Sequence, residues 1–146
     1  MKLQISSRLA IFALLELAAR PDQQVSVAEI GEKYGLSNHH LAKVLHTLAR
    51  AGLVRSVRGA GGGYQFSGRP RRTTLLDIIN LFEEFGSPNA SSADAGRTAE
   101  EHALREVLHE IDDMACATLS SITIATMRKL IERRRVEKDR PVRLPV

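Results

Sequence analysis

The stretch SVAEIGEKYGLSNHHLAKVLHTLARAGLVRSVRGAGGGYQF, residues 26–66, decides the fold of this chain. It opens with Ser26 and Glu29 in the S-x-x-E spacing of a capping box, and apolar residues then recur at helical intervals. Gly35 can end that helix, and Ser37 can cap the next one. The pattern therefore predicts two helices joined by a three-residue turn.

The second helix is predicted from Asn38 to Ala51, with Gly52 as its stop. One face has an apolar stripe at i, i+3, i+4 and i+7, formed by Leu41, Val44, Leu45 and Leu48. The opposite face carries basic and hydrogen-bonding side chains, namely His39, Lys43, His46 and Arg50. A helix that is anchored through one face and polar on the other suits the major groove of DNA.

A short hairpin is predicted after the second helix. Leu53–Val57 and Tyr64–Phe66 have strand character, and the tip between Arg58 and Gly63 is rich in glycine. Small residues let such a tip enter a narrow groove, where Arg58 would meet the strongest minor-groove potential. A plain flexible turn is the alternative. We interpret the whole segment as a winged helix-turn-helix, and the protein as a DNA-binding regulator.

Contacts to DNA are expected from the start of the second helix and from the wing. His39 and Lys43 lie one turn apart, and each can donate a hydrogen bond to guanine O6 or N7. Ser37 and Asn38 can bind phosphate or base, and His40 is expected beside the backbone. An ordinary solvated helix face is the alternative. The predicted DNA-binding residues are Ser37, Asn38, His39, His40, Lys43, Arg55, Arg58, Gly61, Gly62 and Tyr64.

The charge of the 146-residue chain is unevenly distributed around a net value of +4. Residues 1–72 carry 11 Lys/Arg and 4 Asp/Glu, residues 73–127 carry 2 and 10, and residues 128–146 carry 8 and 3. The first basic block coincides with the helix-turn-helix and wing, where attraction to phosphate would be needed. The acidic block is expected to face away from a polyanion.

The rest of the chain is predicted to be helical. The first helix should run from near Ser7 to just before Pro21. It is apolar nearly all round, so we expect it to pack under the helix-turn-helix and against a second partner, such as a neighbouring subunit. A fourth helix, capped by Thr74, should end at Gly86, and SPNASSADAGR (87–97) should form a mobile loop.

A long helix capped by Thr98 should supply a dimerisation seam, because its apolar residues recur every three or four positions. We expect a break around Leu119–Thr123, then a short helix near Ile124–Ile131. The predicted dimer-interface residues are Leu104, Val107, Leu108, Ile111, Ala115 and Ile122. The predicted division is a DNA-binding domain in residues 1–72, a linker helix with dimerisation helices in residues 73–131, and a charged flexible tail in residues 132–146.

The candidate ligands for a metal ion are sparse. His102, His109 and Cys116 are seven residues apart on one helix face, and two helical turns separate neighbours by about 10.5 Å. They cannot share one ion within a helix, although a site between subunits stays open. The single cysteine excludes an intrachain disulfide and favours a reducing, cytoplasmic setting. The chain has no G-x-S-x-G, H-E-x-x-H or C-x-x-C motif, so we do not expect an enzyme.

Several motifs resemble the Rrf2 family of bacterial winged-helix transcriptional regulators, which includes the iron–sulfur-cluster regulator and the nitric-oxide-sensitive repressor. The similarity extends over most of residues 1–131. The matching pieces are the opening MKL, ALLELA (13–18), LSNHHLAKVL (36–45), the run LARAGLVRSVRGAGGGY (48–64), TLLDII (74–79) and SITIA (121–125).

This resemblance implies a homodimer that is joined through the long helix and binds a dyad-symmetric operator, most simply as a repressor. By position, His39, Ala42 and Lys43 match the base-contacting part of the recognition helix, and Arg58 matches the wing arginine. Ala42 occupies a position at which members of that family frequently have a polar residue that contacts a base.

Sensing members of the family hold an iron–sulfur cluster on three cysteines in the loop before the long helix, and residues 87–97 contain none. We therefore expect no family-type cluster and no cofactor, with double-stranded DNA and a second copy of the chain as partners. Two alternatives remain. One is a protein-interaction module that docks through its acidic helices, and the other is a regulator with an unusual metal or thiol sensor at the dimer seam.

Overall fold

The computed structural model describes residues 2–59, 61–85 and 98–139. It confirms a mainly helical winged-helix fold, in which three helices precede a two-stranded antiparallel hairpin. The elements are α1 (Ile5–Ala19), α2 (Val27–Tyr34), α3 (Asn38–Arg50), β1 (Val54–Val57), β2 (Gly63–Phe66), α4 (Leu75–Ile79), α5 (Ala99–Ser121) and α6 (Ile124–Lys138).

Helix α1 is the centre of the hydrophobic core. Leu14 and Leu17 are fully buried, and so is most of the helix around them. Helix α1 packs on α3 and β2, and it also packs on α4 and α6. A second partner for this apolar helix is therefore supplied within the same chain, by α4 and α6.

A buried carboxylate joins α1 to α2. Glu16 accepts hydrogen bonds from Arg20 (2.8 Å), from the hydroxyl of Tyr34 (3.2 Å) and from the ammonium of Lys33. Burial alone would raise the pKa of Glu16, but hydrogen bonds and charge attraction from Lys33 and Arg20 outweigh it and hold that pKa below 4.5. Arg20 also donates to Glu29 on α2 at 2.7 Å. These bonds fix the helix-turn-helix on its supporting helix.

The turn between α2 and α3 is tight. Gly35 adopts a left-handed conformation with φ of +64°, which costs glycine little. The amide of Leu36 then donates to the carbonyl of Gly31 at 2.8 Å. A β-carbon at Gly31 would meet Oδ1 of Asn38, so the Asn38 side chain would have to move to admit one. The predicted three-residue turn is thereby confirmed.

The wing is held to the body by one extra backbone pair. Strands β1 and β2 pair in a register that sets Val54 opposite Phe66. Beyond them, Val25 and Tyr64 exchange two backbone hydrogen bonds of 2.9 Å. Gly63 makes this approach feasible, because a β-carbon there would lie 2.6 Å from the carbonyl oxygen of Val25.

The C-terminal half follows the predicted caps but differs at its helix ends. Reciprocal capping boxes begin α4 at Thr74 and α5 at Thr98, as expected. Helix α4 ends at Ile79, well before Gly86, which lies with the loop 87–97 outside the described residues.

The predicted break between the last two helices is confirmed, but α6 is longer than expected. Ile122 is the extended residue that ends α5, and its carbonyl accepts a hydrogen bond from Leu75. Helix α6 then continues to Lys138 rather than ending at Ile131. Among the described residues, we find no helix that combines the length and the apolar character needed to cross a bilayer.

Candidate nucleic-acid interface

Helix α3 is amphipathic in the way the sequence predicts. Its buried residues are Leu41, Val44, Leu45 and Leu48, which pack into the core. On the other face His39, Lys43, His46 and Arg50 are exposed. The helix is therefore fixed through one side and presents cationic and hydrogen-bonding groups on the other.

The residues at the start of α3 differ in how freely they can contact a ligand. Ser37 is exposed, and its side chain makes no capping hydrogen bond. Asn38 is exposed as well, but its amide oxygen packs over Gly31. Nε2 of His40 lies 3.0 Å from the hydroxyl oxygen of Ser6, so half-buried His40 is tied to α1. After Ser37 and Asn38, the next exposed cationic or hydrogen-bonding side chains along α3 are those of His39 and Lys43.

The wing arginines also have different environments. Arg55 on β1 donates to the side-chain oxygen of Gln65 on β2, at 2.6 Å from Nη2. Gln65 in turn donates to the carbonyl of Pro21 at 2.9 Å, so Arg55 is braced along the hairpin. Arg58 is exposed where β1 passes into the glycine-rich tip. Arg58 is thus placed to extend from the tip into solvent or a groove.

A cleft lies between the wing and the N-terminus of α2. Its volume is about 620 Å³, and its lining includes Ser26, Val27 and Ala28 on one side and Arg58, Gly61 and Gly62 on the other. The hydroxyl of Ser26 accepts from the amide of Glu29, and the residues of the first turn of α2, where the helix dipole is positive, line the cleft. Such an arrangement favours a phosphate group.

The N-terminus of α2 is not among the site residues predicted from the sequence pattern. The cap at Ser26 was the signal for it, because a helix N-terminus beside a basic hairpin favours an anion. Of the residues predicted to bind DNA, Arg58, Gly61, Gly62 and Tyr64 are brought together at this cleft. Those of α3 lie on the separate exposed helix face described above.

The residues predicted for a dimer interface fall into two groups. Leu104, Val107, Leu108 and Ile111 on the first half of α5 are all more than half exposed. Ala115 is half-buried, and Ile122 is half-buried against the core of its own chain. The first group, together with exposed Met114, forms the exposed apolar surface of this helix.

A thiolate-ligated iron cluster does not fit the residues of this chain. Cys116 is the single cysteine, and its Sγ lies 3.9 Å from the carbonyl oxygen of Phe85 on the half-buried side of α5. Within residues 2–59, 61–85 and 98–139, no three His, Cys, Asp or Glu side chains are grouped as metal ligands. His109 instead lies 3.6 Å from Asp113, one turn along the helix.

Comparison with known proteins agrees with this geometry. Residues 3–129 match the model of the Rrf2 family, which is described as iron-dependent transcriptional regulators. The chain is 50% identical over 140 residues to BadM of Rhodopseudomonas palustris, named as an HTH-type transcriptional regulator, covering 94% of this chain and 89% of that protein. It is 35% identical over 128 residues to slr0846 of Synechocystis, similarly named, covering 87% of each.

Solved structures give the same result. CymR of B. subtilis, described as the global cysteine regulator, superposes with a TM-score of 0.75 at 30% identity, covering 89% of this chain and 98% of CymR. IscR of T. potens superposes with a TM-score of 0.69 at 31% identity, covering 92% and 90%. The chain therefore belongs to the Rrf2 family and is a DNA-binding transcriptional regulator.

Proposed function

We propose that the protein is a homodimeric repressor that binds a dyad-symmetric operator. The observation that supports this most is the combination of an exposed cationic face on α3 with a basic cleft at the wing. A repressor needs no further chemistry, since occupying a promoter is enough to exclude polymerase. The exposed face of α3 would recognise bases, and the cleft at the wing would bind phosphate.

Base recognition belongs to the first turns of α3 in this proposal. His39 and Lys43 are exposed and one helical turn apart, so both can reach the edges of neighbouring base pairs in a major groove. His40 holds the helix in place through α1, and its role is to position it. A well-formed base contact discriminates by about 1–3 kcal/mol.

Phosphate binding belongs to the wing and the N-terminus of α2. Arg58 would enter the minor groove beside the helix, while the cleft next to Ser26 would accept a backbone phosphate. Charge attraction of this kind is insensitive to sequence and weakens steeply as salt rises. It supplies affinity and register, whereas α3 supplies the sequence preference.

Dimerisation is supported by the exposed apolar residues of α5. Leu104 is 61% exposed and Ile111 is 51% exposed, although each would be stabilised by burial. A second copy is the natural cover for such a helix face. A twofold dimer would then set two copies of α3 about 34 Å apart, one turn of DNA, and the operator would share that symmetry.

In our proposal the protein has no iron–sulfur cluster of the kind that sensing family members hold on three cysteines. A set of three cysteines cannot be drawn from a chain that has only Cys116. We therefore propose that any signal arrives through another ligand or a partner protein, and that the dimer works in the reducing cytoplasm. An absorbance spectrum between about 300 and 500 nm of anaerobically purified protein checks this point, because a cluster would give charge-transfer bands.

Selection of bound fragments from genomic DNA with the purified chain tests the proposed function. The expected result is a two-fold symmetric site with half-site centres about one DNA turn apart. A matched variant, His39→Ala with Lys43→Ala, should retain weak binding to all fragments and fail to enrich that site. Enrichment of the same site by the variant, or recovery of fragments with no common sequence by the parent, would overturn the proposal.

A further inference from the structure

The start of α6 and the linker that follows the wing together form a shallow cleft of about 650 Å³. Four cationic side chains line it, one from the linker and three from α6, and all four are exposed. They are Arg71, Arg128, Lys129 and Arg133, and we call this surface the α6 platform. Glu132 also lines the cleft, so the charged side chains of the lining sum to +3.

Backbone hydrogen bonds fix the two segments of the platform against each other. The amide of Ala125 donates to the carbonyl of Pro70 at 2.9 Å, and the amide of Ile124 donates to the carbonyl of Thr73 at 3.0 Å. Ile124 is fully buried, and Thr73 is buried as well. The fold itself therefore holds Arg71 beside the first turn of α6.

The positive charge of the platform is not neutralised by the carboxylates of its own helix. Helix α6 has two acidic residues, of which Glu132 pairs with Arg135 at 3.2 Å and Glu137 pairs with Arg134 at 3.7 Å. Within residues 2–59, 61–85 and 98–139, none of the four platform cations forms an ion pair. Because these like charges surround one cleft, the platform should attract a polyanion.

The platform suits a row of charges better than it suits one small anion. The amide of Thr126 donates to the hydroxyl of Thr123 at 3.1 Å, and the amides of Ile124 and Ala125 donate to the linker. The first turn of α6 has thus used these amides within the fold, whereas a site for a discrete phosphate would need them free. Exposed arginine and lysine side chains are typical of contacts to the sugar-phosphate backbone of a nucleic acid.

The platform lies past the base of the wing, at the end of the hairpin away from its tip. Strands β1 and β2 pair over four residues, which sets about 10 Å between the two ends. At the base, the amide of Gly68 donates to the carbonyl of Leu53 at 3.1 Å, and the linker follows. Exposed cations therefore occur at the tip, within β1 and beyond the base, namely Arg58, Arg55 and Arg71.

We propose that the α6 platform binds backbone phosphates of the duplex that flanks each operator half-site. This inference rests on the proposed function and adds a second phosphate-binding surface to the cleft at the wing. Duplex DNA is the polyanion that this chain brings to the wing, because the chain is a DNA-binding transcriptional regulator. The flanking DNA bends toward the body of the protein, and the added phosphate contacts offset the cost of bending.

Two duplexes that share the operator recovered by genomic selection test this proposal. The short duplex ends at the outer edges of the half-sites, and the long duplex has about 20 further base pairs, two turns of DNA, at each end. The parent should bind the long duplex at least about tenfold more tightly at low salt, because each chain gains phosphate contacts there. Fluorescence anisotropy measures both affinities.

A variant with Lys129→Gln and Arg133→Gln removes two platform charges that lie one helical turn apart. It should bind the short duplex as the parent does, within about twofold, and the long duplex about tenfold more weakly. Its salt slope on the long duplex should be shallower by about 2 per bound chain, since each lost phosphate contact contributes about 0.9. Both side chains are exposed, and thermal melting together with the affinity for the short duplex checks that the variant folds.

The matched control carries Arg134→Gln and Lys138→Gln. It removes the same charge from the same helix, at positions turned by about 140° from those of the variant. The control should bind both duplexes as the parent does. In hydroxyl-radical footprinting, the parent and the control should protect the DNA backbone beyond the half-sites, and the variant should not.

Three results would overturn the inference. The first is equal affinity of the parent for the two duplexes, and the second is an equal loss by the variant on both. The third is a variant that matches the parent on both duplexes, as expected if the platform receives an acidic protein instead. In each case, a parent that still selects a two-fold symmetric operator leaves the proposed function intact. A parent that selects no operator overturns the proposed function, and the inference with it.

Discussion

The hydroxyl oxygen of Ser6, in the first turn of α1, lies 3.0 Å from Nε2 of His40 on α3. The two residues are 34 positions apart in the chain, and their hydrogen bond joins the central core helix to the proposed recognition helix. His40 is therefore a positioning residue in our account, whereas its neighbour His39 is exposed to solvent.

A double-mutant cycle measures that hydrogen bond. Ser6→Ala, His40→Ala and the double variant should lower the free energy of unfolding non-additively, with a coupling of about 1 kcal/mol, because a part-buried hydrogen bond is lost only once. Urea denaturation at pH 7 gives the three values. Ser56→Ala, an exposed serine on β1, is the control and should change stability little. Fully additive losses would contradict the contact.

Glu16 should make stability depend on acid pH. Its pKa is held below 4.5 in the folded protein, so its contribution is present above pH 4.5 and is lost as the pH falls through the folded pKa. Glu16→Gln should cost about 2 kcal/mol at pH 7, since two charged partners lose a carboxylate. The difference from the parent should shrink toward pH 3.

Chemical denaturation at several pH values checks this dependence. Glu106→Gln, an exposed residue on α5, serves as the control and should track the parent across the series. A constant difference between Glu16→Gln and the parent from pH 7 to pH 3 would show that folding does not lower the pKa of Glu16.

Gly63→Ala should loosen the wing. The added β-carbon would lie 2.6 Å from the carbonyl oxygen of Val25, so the two backbone bonds between Val25 and Tyr64 must lengthen. We expect a loss of about 1–3 kcal/mol in stability, typical of forced overpacking. Hydrogen exchange at the Tyr64 amide should accelerate by more than tenfold, about 1.4 kcal/mol of local stability. Unchanged protection at that amide would refute the argument.

Arg58 and Lys43 should differ in their effects on DNA binding. Arg58→Ala should weaken binding to operator and random duplexes alike and lower the salt slope by about 1. Lys43→Ala should also relax base preference at one operator position, costing about 1–3 kcal/mol there. Fluorescence anisotropy with matched duplexes measures both. Equal effects of the two variants on specific and random DNA would discredit the assigned roles.

The local pattern of the sequence predicts the central part of the fold. The helix-turn-helix is predicted from helix caps and apolar spacing. The signals, such as Gly35 and the stripe that contains Leu41 and Leu45, each involve only a few neighbouring residues. The hairpin follows from strand residues that flank a glycine-rich tip. The start of α5 at Thr98 and its end at Ile122 can also be predicted from the sequence, because capping and weak helix propensity are local signals.

The parts that the sequence did not predict depend on contacts between distant residues. The packing of α6 on α1 could not be inferred from the sequence of α1. The apolar character of α1 predicts that this helix is buried, but it does not identify the element that packs on it. The end of α6 at Lys138 was missed because charged residues lack apolar periodicity, although arginine, lysine and glutamate are good helix formers. The bond between Ser6 and His40 and the cleft beside Ser26 likewise need three-dimensional proximity.

Titration of a labelled operator duplex across a range of salt concentrations tests the central claim most directly. Two protomers gripping DNA through α3 and the wing should bind with a stoichiometry of two chains per duplex. The logarithm of affinity should fall linearly with that of salt concentration, with a slope of about −4 or steeper, since each neutralised phosphate contributes about −0.9. Affinity that does not change with salt, or no binding to any duplex in dilute buffer, would contradict the account.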